Sequence, residues 1–328
     1  MTATDDIIAP FSLDNAPVRG RIARLAEGAL DPILHRHDYP RPVALLLGEA
    51  LTLAALIGSL LKTDGRLVIQ AQGEGPVSLL VAEHLDGGVR GYARLADGAA
   101  EALRGAHRMA PAELLGAGSL ILTLDLGEST TPFQGVVALE GATLAQCAET
   151  YFRVSEQTDT GIRLAVGEII SGDAPSQWRA GGVLMQRLAS DQTRGDTEED
   201  WRRASILFHT LTDEELIDPA LPADRLLYRL FHEEGVRMGE AAPLDDRCSC
   251  SAERLTSVMK TFPKDEIADL IEPDGKLHAR CQFCSREYLI DPAQILAAEA
   301  SILRDQGDAV AAQTLEDRAS AVADPTAR

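Results

Sequence analysis

The arrangement of four cysteines constrains this chain more than any other feature of its sequence. Cys248-x-Cys250 and Cys281-x-x-Cys284 are separated by 30 residues, and the fifth cysteine, Cys147, lies far upstream. Four thiolates satisfy the tetrahedral coordination of zinc, and the Cys-x-x-Cys half has ordinary zinc-knuckle spacing. The pattern predicts a structural site for one Zn²⁺ per chain, with four unrelated thiols as the alternative. Cys147 is predicted to be a core cysteine without chemistry.

The cysteines lie in a segment that is too short to be stable on apolar packing alone. Residues 247–290 number only 44, and domains of about 40 residues seldom hold together without a metal ion or disulfides. Metal binding and folding are therefore expected to be one equilibrium. The predicted elements are a helix with an apolar stripe, a second short helix over 263–270, a turn at Asp274-Gly275 and two short strands. The stripe consists of Leu255, Val258, Met259 and Phe262.

The cysteine segment is electrically neutral in an acidic chain. It holds seven basic and seven acidic residues, whereas 31 basic and 51 acidic residues give the whole chain a net charge of −20. Arg247 and Arg280 directly precede cysteines, and both zinc and nearby cations favour the thiolate, which is the form that oxidants attack. One hypothesis is a redox-sensing site, in which oxidation ejects zinc and unfolds the segment. The other is an inert structural zinc, and the cysteine spacing leaves both open.

The charge and the hydropathy pattern argue against several partners. A net charge of −20 repels nucleic-acid phosphates and anionic membranes, so neither is expected as a partner. Residues 43–61 lack Lys and Arg and are long enough to span a bilayer, but Glu49 would then lie in hydrocarbon. A helix buried in a globular core is predicted instead.

Residues 1–6 lack the features of a secretory signal, and reduced thiols fit a cytoplasmic protein.

Short β segments dominate the first 175 residues. Strands are predicted over 66–72, 77–82, 89–93, 120–125 and 135–139. Gly73-Glu-Gly-Pro76 is predicted to be a hairpin turn. The spacing is too short for βαβ crossovers, so we predict an α+β fold. Its parts are an N-terminal antiparallel-sheet domain with packed helices (1–175), a helical linker (176–246), a small zinc-binding domain (247–292) and a helical or flexible extension (293–328).

The linker prediction depends on helical patterns in an acidic stretch. Helices are predicted over 178–188, where Gly181-Gly182 interrupts the pattern, over 201–208 and over 224–238, and Thr212 begins a capping box. The apolar stripe of the last helix consists of Ala223, Leu226, Leu227, Leu230 and Phe231. This stretch is either a linker that lies on an apolar surface or the helical end of the first domain.

Motifs along residues 12–292 resemble those of the heat shock protein 33 family, the redox-regulated bacterial chaperonin. The matching pieces are Val18-Arg-Gly20, Leu46-Leu-Gly-Glu49, Gln70-Ala-Gln-Gly-Glu-Gly-Pro76, Arg90-Gly-Tyr-Ala93, Gln134-Gly-Val-Val137, Tyr151-Phe-x-x-Ser-Glu-Gln157, Gly181-Gly182, Leu230-Phe-His-Glu233, Arg247-Cys-Ser-Cys-Ser251, and Cys281-x-Phe-Cys284 with Tyr288. Thr158-Asp159-Thr160 departs from the Leu-Pro-Thr of the family, and the extension beyond about residue 295 has no counterpart. Neither departure touches the cysteines.

The resemblance implies an ATP-independent holdase rather than an enzyme. In such a protein the reduced form binds zinc and is inactive. Oxidation implies disulfides Cys248–Cys250 and Cys281–Cys284, zinc release, loss of structure in the linker, and a homodimer that captures unfolded client proteins. The client-binding residues would be Leu226, Leu227, Leu230 and Phe231, because a linker stripe that covers apolar surface uncovers it on melting.

Two other classes of function remain open at this point. A zinc-ribbon adaptor would bind a folded partner through the cysteine segment. A thiol oxidoreductase would use Cys281 and Cys284, although the βαβ context of a thioredoxin-type site is missing. Turnover in a reduction assay separates the second class from a holdase, which protects clients stoichiometrically.

Overall fold

The computed structural model describes residues 5–61, 65–127, 131–141, 143–170, 176–189, 197–259, 267, 270–293, 295, 310 and 313. The chain divides into two compact units, Met1–Arg247 and Cys248–Arg328. Both contain helices and antiparallel strands, so the predicted α+β class is confirmed.

Strands occur in both units. Within the described residues they are β1 (Ile7–Leu13), β2 (Val18–Leu25), β3 (Arg66–Gly73), β4 (Val77–Leu85), β5 (Gly88–Leu95), β6 (Gly118–Asp125), β7 (Phe133–Ala138), β8 (Thr160–Ile169), β9 (Gln177–Arg187), β10 (Val236–Met238), β11 (Ala242–Pro243), β12 (Asp245–Asp246), β13 (Leu277–Arg280) and β14 (Glu287–Ile290). The five strands predicted between residues 66 and 139 are confirmed, and the predicted turn joins β3 to β4.

Helices are short apart from one long core helix. Those described are α1 (Asp31–Arg36), α2 (Arg41–Gly58), α3 (Ala99–Ala102), α4 (Pro111–Leu115), α5 (Leu144–Ser155), α6 (Glu198–Phe208), α7 (Asp213–Ile217), α8 (Ala223–Phe231) and α9 (Ala252–Met259), with a 3₁₀ turn at His232–Glu234. The capping box predicted at Thr212 begins α7: its hydroxyl accepts from the Glu215 amide, and the Glu215 carboxylate accepts from the Thr212 amide.

Two sheets form the framework of the first unit. The first sheet has the order β10-β1-β2-β9-β8, is antiparallel throughout, and also pairs β11 with β1. The second has the order β12-β5-β4-β3-β6-β7 and is antiparallel except for the β12–β5 pair. In the second unit, β13 and β14 form a separate hairpin.

Helix α2 lies between the two sheets of the first unit. It packs against β3, β4 and β5 on one side and against β2, β8 and β9 on the other. Its apolar side chains are buried almost all round, as expected of a helix that is hydrophobic on every face. Among the described helices it alone is long and apolar enough to cross a bilayer, but 83% of that window is buried. The prediction of a core helix is therefore confirmed.

Helices α6, α7 and α8 cover the other face of the first sheet. Leu226, Leu227, Leu230 and Phe231 of α8 are at most 3% exposed and pack in one cluster with side chains of β1, β2 and β9. The rings of Phe231 and Phe11 stack with centroids 6.1 Å apart. The predicted stripe therefore lies on an apolar surface, namely the first sheet.

One helix prediction in this region is wrong, and a second extends too far. Residues 178–187 belong to strand β9, with Gly182 against Thr52 of α2 and Gly181 so close to α7 that a Cβ would lie 2.1 Å from the Leu216 carbonyl oxygen. A strand buried on both faces has a continuous apolar run without alternation, which resembles a buried helix. The helix predicted over 224–238 ends at Phe231, because Gly235 has a φ of +69° and β10 follows.

The second unit contains an apolar cluster of its own. Ile267, Leu277, Ile290 and Ile295 are buried, with partly buried neighbours from α9 and the hairpin. Helix α9, the turn at Gly275 (φ +79°) and the two strands agree with the sequence prediction. Phe262, most of the helix predicted over 263–270 and most of the 293–328 extension lie outside the described residues.

Candidate metal and redox site

Two separate backbone segments carry the four cysteines of the second unit. Cys248 and Cys250 lie on the extended stretch directly before α9. The hydroxyl of Ser251 accepts a hydrogen bond from the Arg254 amide and so caps the first turn of that helix. This cap fixes where the extended stretch ends and the helix begins.

Cys281 and Cys284 lie on the loop that joins β13 to β14. The Cys281 amide donates to the Arg286 carbonyl, and the Ser285 amide donates to the Cys281 carbonyl. Ser285 adopts a left-handed φ of 56°, which lets the chain reverse within this short loop. The loop is therefore a knuckle, as its Cys-x-x-Cys spacing predicted.

The four thiols converge. Their Sγ atoms all lie within 4.8 Å of one another. Cys248 Sγ is 3.8 Å from Cys281 Sγ, and Cys250 Sγ is 3.3 Å from Cys284 Sγ. Thiolates bound at about 2.3 Å to a tetrahedral Zn²⁺ lie about 3.8 Å apart, so the donor set and its size suit such an ion. All four cysteines are free thiols, and the cluster can bind a metal ion.

Tyr288 supplies a hydrogen bond to this cluster from strand β14. Its hydroxyl oxygen is 3.1 Å from Cys250 Sγ and 3.2 Å from the Cys250 carbonyl oxygen. Burial by itself raises the pKa of Cys250, but the hydrogen bonds from Tyr288 and the other thiols outweigh it and lower this pKa to about 7. Burial and the hydrogen bond to Cys250 raise the pKa of Cys284 to about 12. Without metal, Cys250 is therefore the favoured thiolate.

Arg286 is a cation near the thiols that the sequence analysis did not single out. Arg286 hydrogen-bonds the Tyr288 hydroxyl, and attraction to Tyr288, Cys284 and Cys250 adds to this bond in raising the pKa of its guanidinium. Arg247, which precedes Cys248, instead donates to the Asp86 carbonyl and pairs with Asp245 at 2.9 Å in the first unit. The sequence signal that could have identified Arg286 is its position two residues after Cys284 and next to a predicted strand.

The remaining candidates lie outside the thiol cluster. His278 pairs with Asp274 at 2.9 Å, and this hydrogen bond raises the histidine pKa. Cys147 is 3% exposed in α5 and packs in the core, where burial raises its pKa, so the prediction of a core cysteine is confirmed. The α8 stripe lies in the first unit, buried against the first sheet.

Comparison with known proteins gives one consistent result. The family described as Hsp33 protein matches residues 6–291. A 33 kDa chaperonin of Caulobacter vibrioides is 49% identical over 290 residues, covering 88% of this chain and 95% of that protein. One from Serratia proteamaculans is 36% identical, covering 89% and 94%. The crystal structure of the 33 kDa chaperonin of Thermotoga maritima, an Hsp33 homologue, superimposes with a TM-score of 0.72 at 25% identity and covers 92% of this chain and 99% of that one.

Proposed function

The chain belongs to the Hsp33 family, and we propose that it is a redox-regulated chaperone that holds unfolding proteins without ATP once its cysteines are oxidised. The observation that carries this proposal is the convergence, in the second unit, of four thiols from two segments separated by 30 residues. A unit of this kind depends on its metal for folding, so oxidation of the ligands is also a signal to unfold.

Zinc is the ion that suits the cluster best. Cys248, Cys250, Cys281 and Cys284 offer four soft thiolates and no oxygen or nitrogen ligand, a set typical of structural zinc. Structural zinc contributes on the order of 10 kcal/mol to the folding of small domains. The bound ion would hold the segment before α9 against the β13–β14 knuckle.

Oxidation would convert the four thiols into two disulfides, Cys248–Cys250 and Cys281–Cys284. Each pair loses two electrons, and one molecule of peroxide is reduced to two of water for each disulfide formed. The resemblance to the family implies these pairs, and the short sequence separation within each half supports them. Because a disulfide sulfur is a poor zinc ligand, Zn²⁺ leaves and the second unit loses its main support.

Client binding would follow from loss of structure in the helices that cover the first sheet. Detaching α8 uncovers its stripe of Leu226, Leu227, Leu230 and Phe231, together with the apolar sheet face beneath it. Large apolar patches are what an unfolded chain can bind. Residues 191–247 contain 15 acidic and 7 basic residues, and this excess negative charge would keep the opened form soluble.

The active form is proposed to be a homodimer whose partners are unfolded client proteins. A net charge of −20 disfavours nucleic acids and anionic membranes as partners. Reduced thiols as the resting state suit the cytoplasm. Catalytic thiol exchange is not favoured, because Cys281 is 8% exposed and its sulfur faces the other cysteine pair.

The test follows zinc release and client protection together. The reduced, zinc-loaded chain is treated with peroxide at raised temperature, a chromophoric chelator reports zinc, and light scattering reports aggregation of a heat-denaturing client. We expect about one zinc per chain to leave as scattering falls, with recovery on adding a reductant. Cys147→Ser is the matched control and should behave as the parent chain. Zinc that stays bound, or leaves without a gain in protection, would overturn the proposal.

A further inference from the structure

The side chain of Tyr288 reaches the thiol cluster from strand β14. Its hydroxyl oxygen lies 3.1 Å from Cys250 Sγ and 3.2 Å from the Cys250 carbonyl oxygen. A hydroxyl carries a single proton, so it donates to one of these two acceptors at a time. The acceptor that receives the proton decides whether Tyr288 only fixes the backbone or acts on a ligand of the metal site.

The ring of Tyr288 is anchored by apolar packing within the second unit. Tyr288 pairs with Ala279 across the β13–β14 hairpin and contacts the apolar cluster that includes Leu277 and Ile290. Ile290 lies two residues further along β14, on the same face of the strand, and is buried. Because the ring is already held in place, little side-chain freedom is lost when its hydroxyl meets Cys250.

Arg286 directs the hydroxyl proton of Tyr288 towards Cys250. The Arg286 guanidinium hydrogen-bonds this hydroxyl, and a guanidinium can only donate. The Tyr288 oxygen therefore accepts from Arg286, and its own proton is available to Cys250. A thiolate sulfur carries a charge that the neutral carbonyl oxygen lacks, and hydrogen bonds to ionised acceptors are about twice as strong as those to neutral ones. With the thiolates formed, the proton therefore goes to Sγ.

A donor at this sulfur stabilises the charged cluster. Four thiolates around one divalent ion leave a net negative charge, and the cysteines that carry it are buried or half-buried. Such a charge is costly unless hydrogen-bond donors surround it. Outer partners of this kind typically change metal affinity about 10–100-fold. The hydrogen bond also withdraws charge from sulfur, and oxidants attack the charged form. The donor should therefore strengthen metal binding and slow the oxidation of Cys250.

We propose that Tyr288 is a positioning residue of the metal site, whose hydroxyl donates to the Cys250 thiolate and so sets how tightly the cluster holds its metal and how readily peroxide releases it. The inference rests on the proposed function, since it requires a metal ion on the four thiols. Tyr288 neither binds the metal nor exchanges electrons, and it acts through Cys250. The oxidation that it slows is the disulfide-forming reaction with peroxide described above.

The test compares the reduced full chain with Tyr288→Phe, which keeps the ring and removes the hydroxyl. Each is titrated with Co²⁺, whose thiolate complexes absorb light, and a chromophoric chelator then competes for Zn²⁺. Both chains should bind about one cobalt. Zinc binding should be about 10–100-fold weaker in Tyr288→Phe. The sulfur-to-cobalt charge-transfer band should move to lower energy, because the sulfur has lost a donor.

Ser257→Ala is the control within the same unit. It removes a hydroxyl of α9 that donates to the Glu253 carbonyl at 2.9 Å. Its zinc affinity and its cobalt spectrum should equal those of the parent chain. A second measurement follows zinc release by peroxide, which should be several-fold faster in Tyr288→Phe than in the parent chain or in Ser257→Ala.

Equal zinc affinity, an unshifted cobalt band or an equal rate of zinc release in Tyr288→Phe would each overturn the inference. Complete loss of cobalt binding in Tyr288→Phe would also overturn it, because the hydroxyl would then be needed to fold the second unit. A parent chain that shows no thiolate–cobalt absorption would instead refute the proposed metal site. The two failures are therefore distinguishable, and neither measurement depends on client protection.

Discussion

The two units of this chain are stabilised in different ways. The first has two six-stranded sheets, a buried helix between them and three helices over the outer face of one sheet, so apolar packing accounts for its fold. The second has a small apolar cluster and four thiols within 4.8 Å of one another. A unit that is stable on packing alone tolerates oxidants, whereas a unit that depends on thiolate ligands unfolds when they are oxidised.

The largest effect is expected from breaking the metal site. Cys281→Ser should abolish stoichiometric zinc binding and leave the second unit without stable structure, because one ligand of four is lost. The two sheets and helix α2 of the first unit should keep their structure. Zinc content and limited proteolysis, with cleavage sites mapped by mass spectrometry, measure both effects. Cys147→Ser is the control, and cleavage spread evenly over both units in Cys281→Ser would show that they are not independent.

The next largest effect is expected at the interface between α8 and the first sheet. Phe231→Ala removes a fully buried ring that stacks on Phe11, and such changes cost about 3–5 kcal/mol. Urea unfolding should show the loss of stability, and binding of an apolar dye should rise without oxidant. Tyr228→Ala, on the exposed side of the same helix, should cost less than about 0.5 kcal/mol. Equal losses of unfolding free energy in the two variants would contradict the proposal that the apolar stripe of α8 covers the first sheet.

A smaller effect is expected from the arginines that hold the end of α7. Arg179 donates to the Ile217 carbonyl at 2.9 Å and pairs with Asp5, while Arg24, 1% exposed, binds the carbonyls of Glu215 and Asp218. Arg179→Met leaves the Ile217 carbonyl without this donor and removes the guanidinium that pairs with Asp5, and it should cost about 2–3 kcal/mol.

The control for Arg179→Met is a second arginine in an exposed ion pair. Arg237 pairs with Asp14 through a side chain that is 75% exposed. Arg237→Met should therefore change the free energy of unfolding by no more than about 0.5 kcal/mol. The same loss in both variants, measured by urea unfolding, would mean that the buried arginines do not hold α7 in place.

The smallest effect is a difference between the two units in how their stability depends on pH. Burial raises the pKa of Glu49 to about 7 in the folded chain, from near 4.5 when unfolded. The folded form therefore binds this proton more tightly, and the first unit should lose stability as the pH rises from 4.5 to 7. Zinc binding requires deprotonated thiols, so the second unit should instead gain stability as the pH rises. In urea unfolding at several pH values, Glu49→Gln should remove the pH dependence of the first unit's stability and leave that of the second unit unchanged.

Local sequence patterns were sufficient for the described elements of the second unit but not for the linker stretch. The cysteine spacing, the turn at Gly275 and the flanking strands are local signals, and the structure agrees with them. Strand β9 was mistaken for a helix because both of its faces are buried by elements distant in sequence, α2 and α7. The end of α8 depends on the pairing of Val236 with Leu13, more than 200 residues away.

The site shows the same division between local and distant information. Spacing singled out the four cysteines that converge, but the hydrogen bond of Tyr288 to Cys250 depends on how the β13–β14 hairpin lies against the stretch before α9. A surface cavity at Glu49 likewise combines α2 with the loop around Arg108, and no sequence period relates the two.

Hydrogen exchange of the zinc-loaded chain before and after peroxide tests the difference between the units most directly. The account predicts that residues 248–292 lose protection as zinc leaves, that α8 follows, and that strands β2 and β9 and helix α2 stay protected. Protection that persists in residues 248–292 after zinc has left, or that disappears from α2 at the same rate, would contradict the claim that thiolate–metal bonds hold one unit and apolar packing the other.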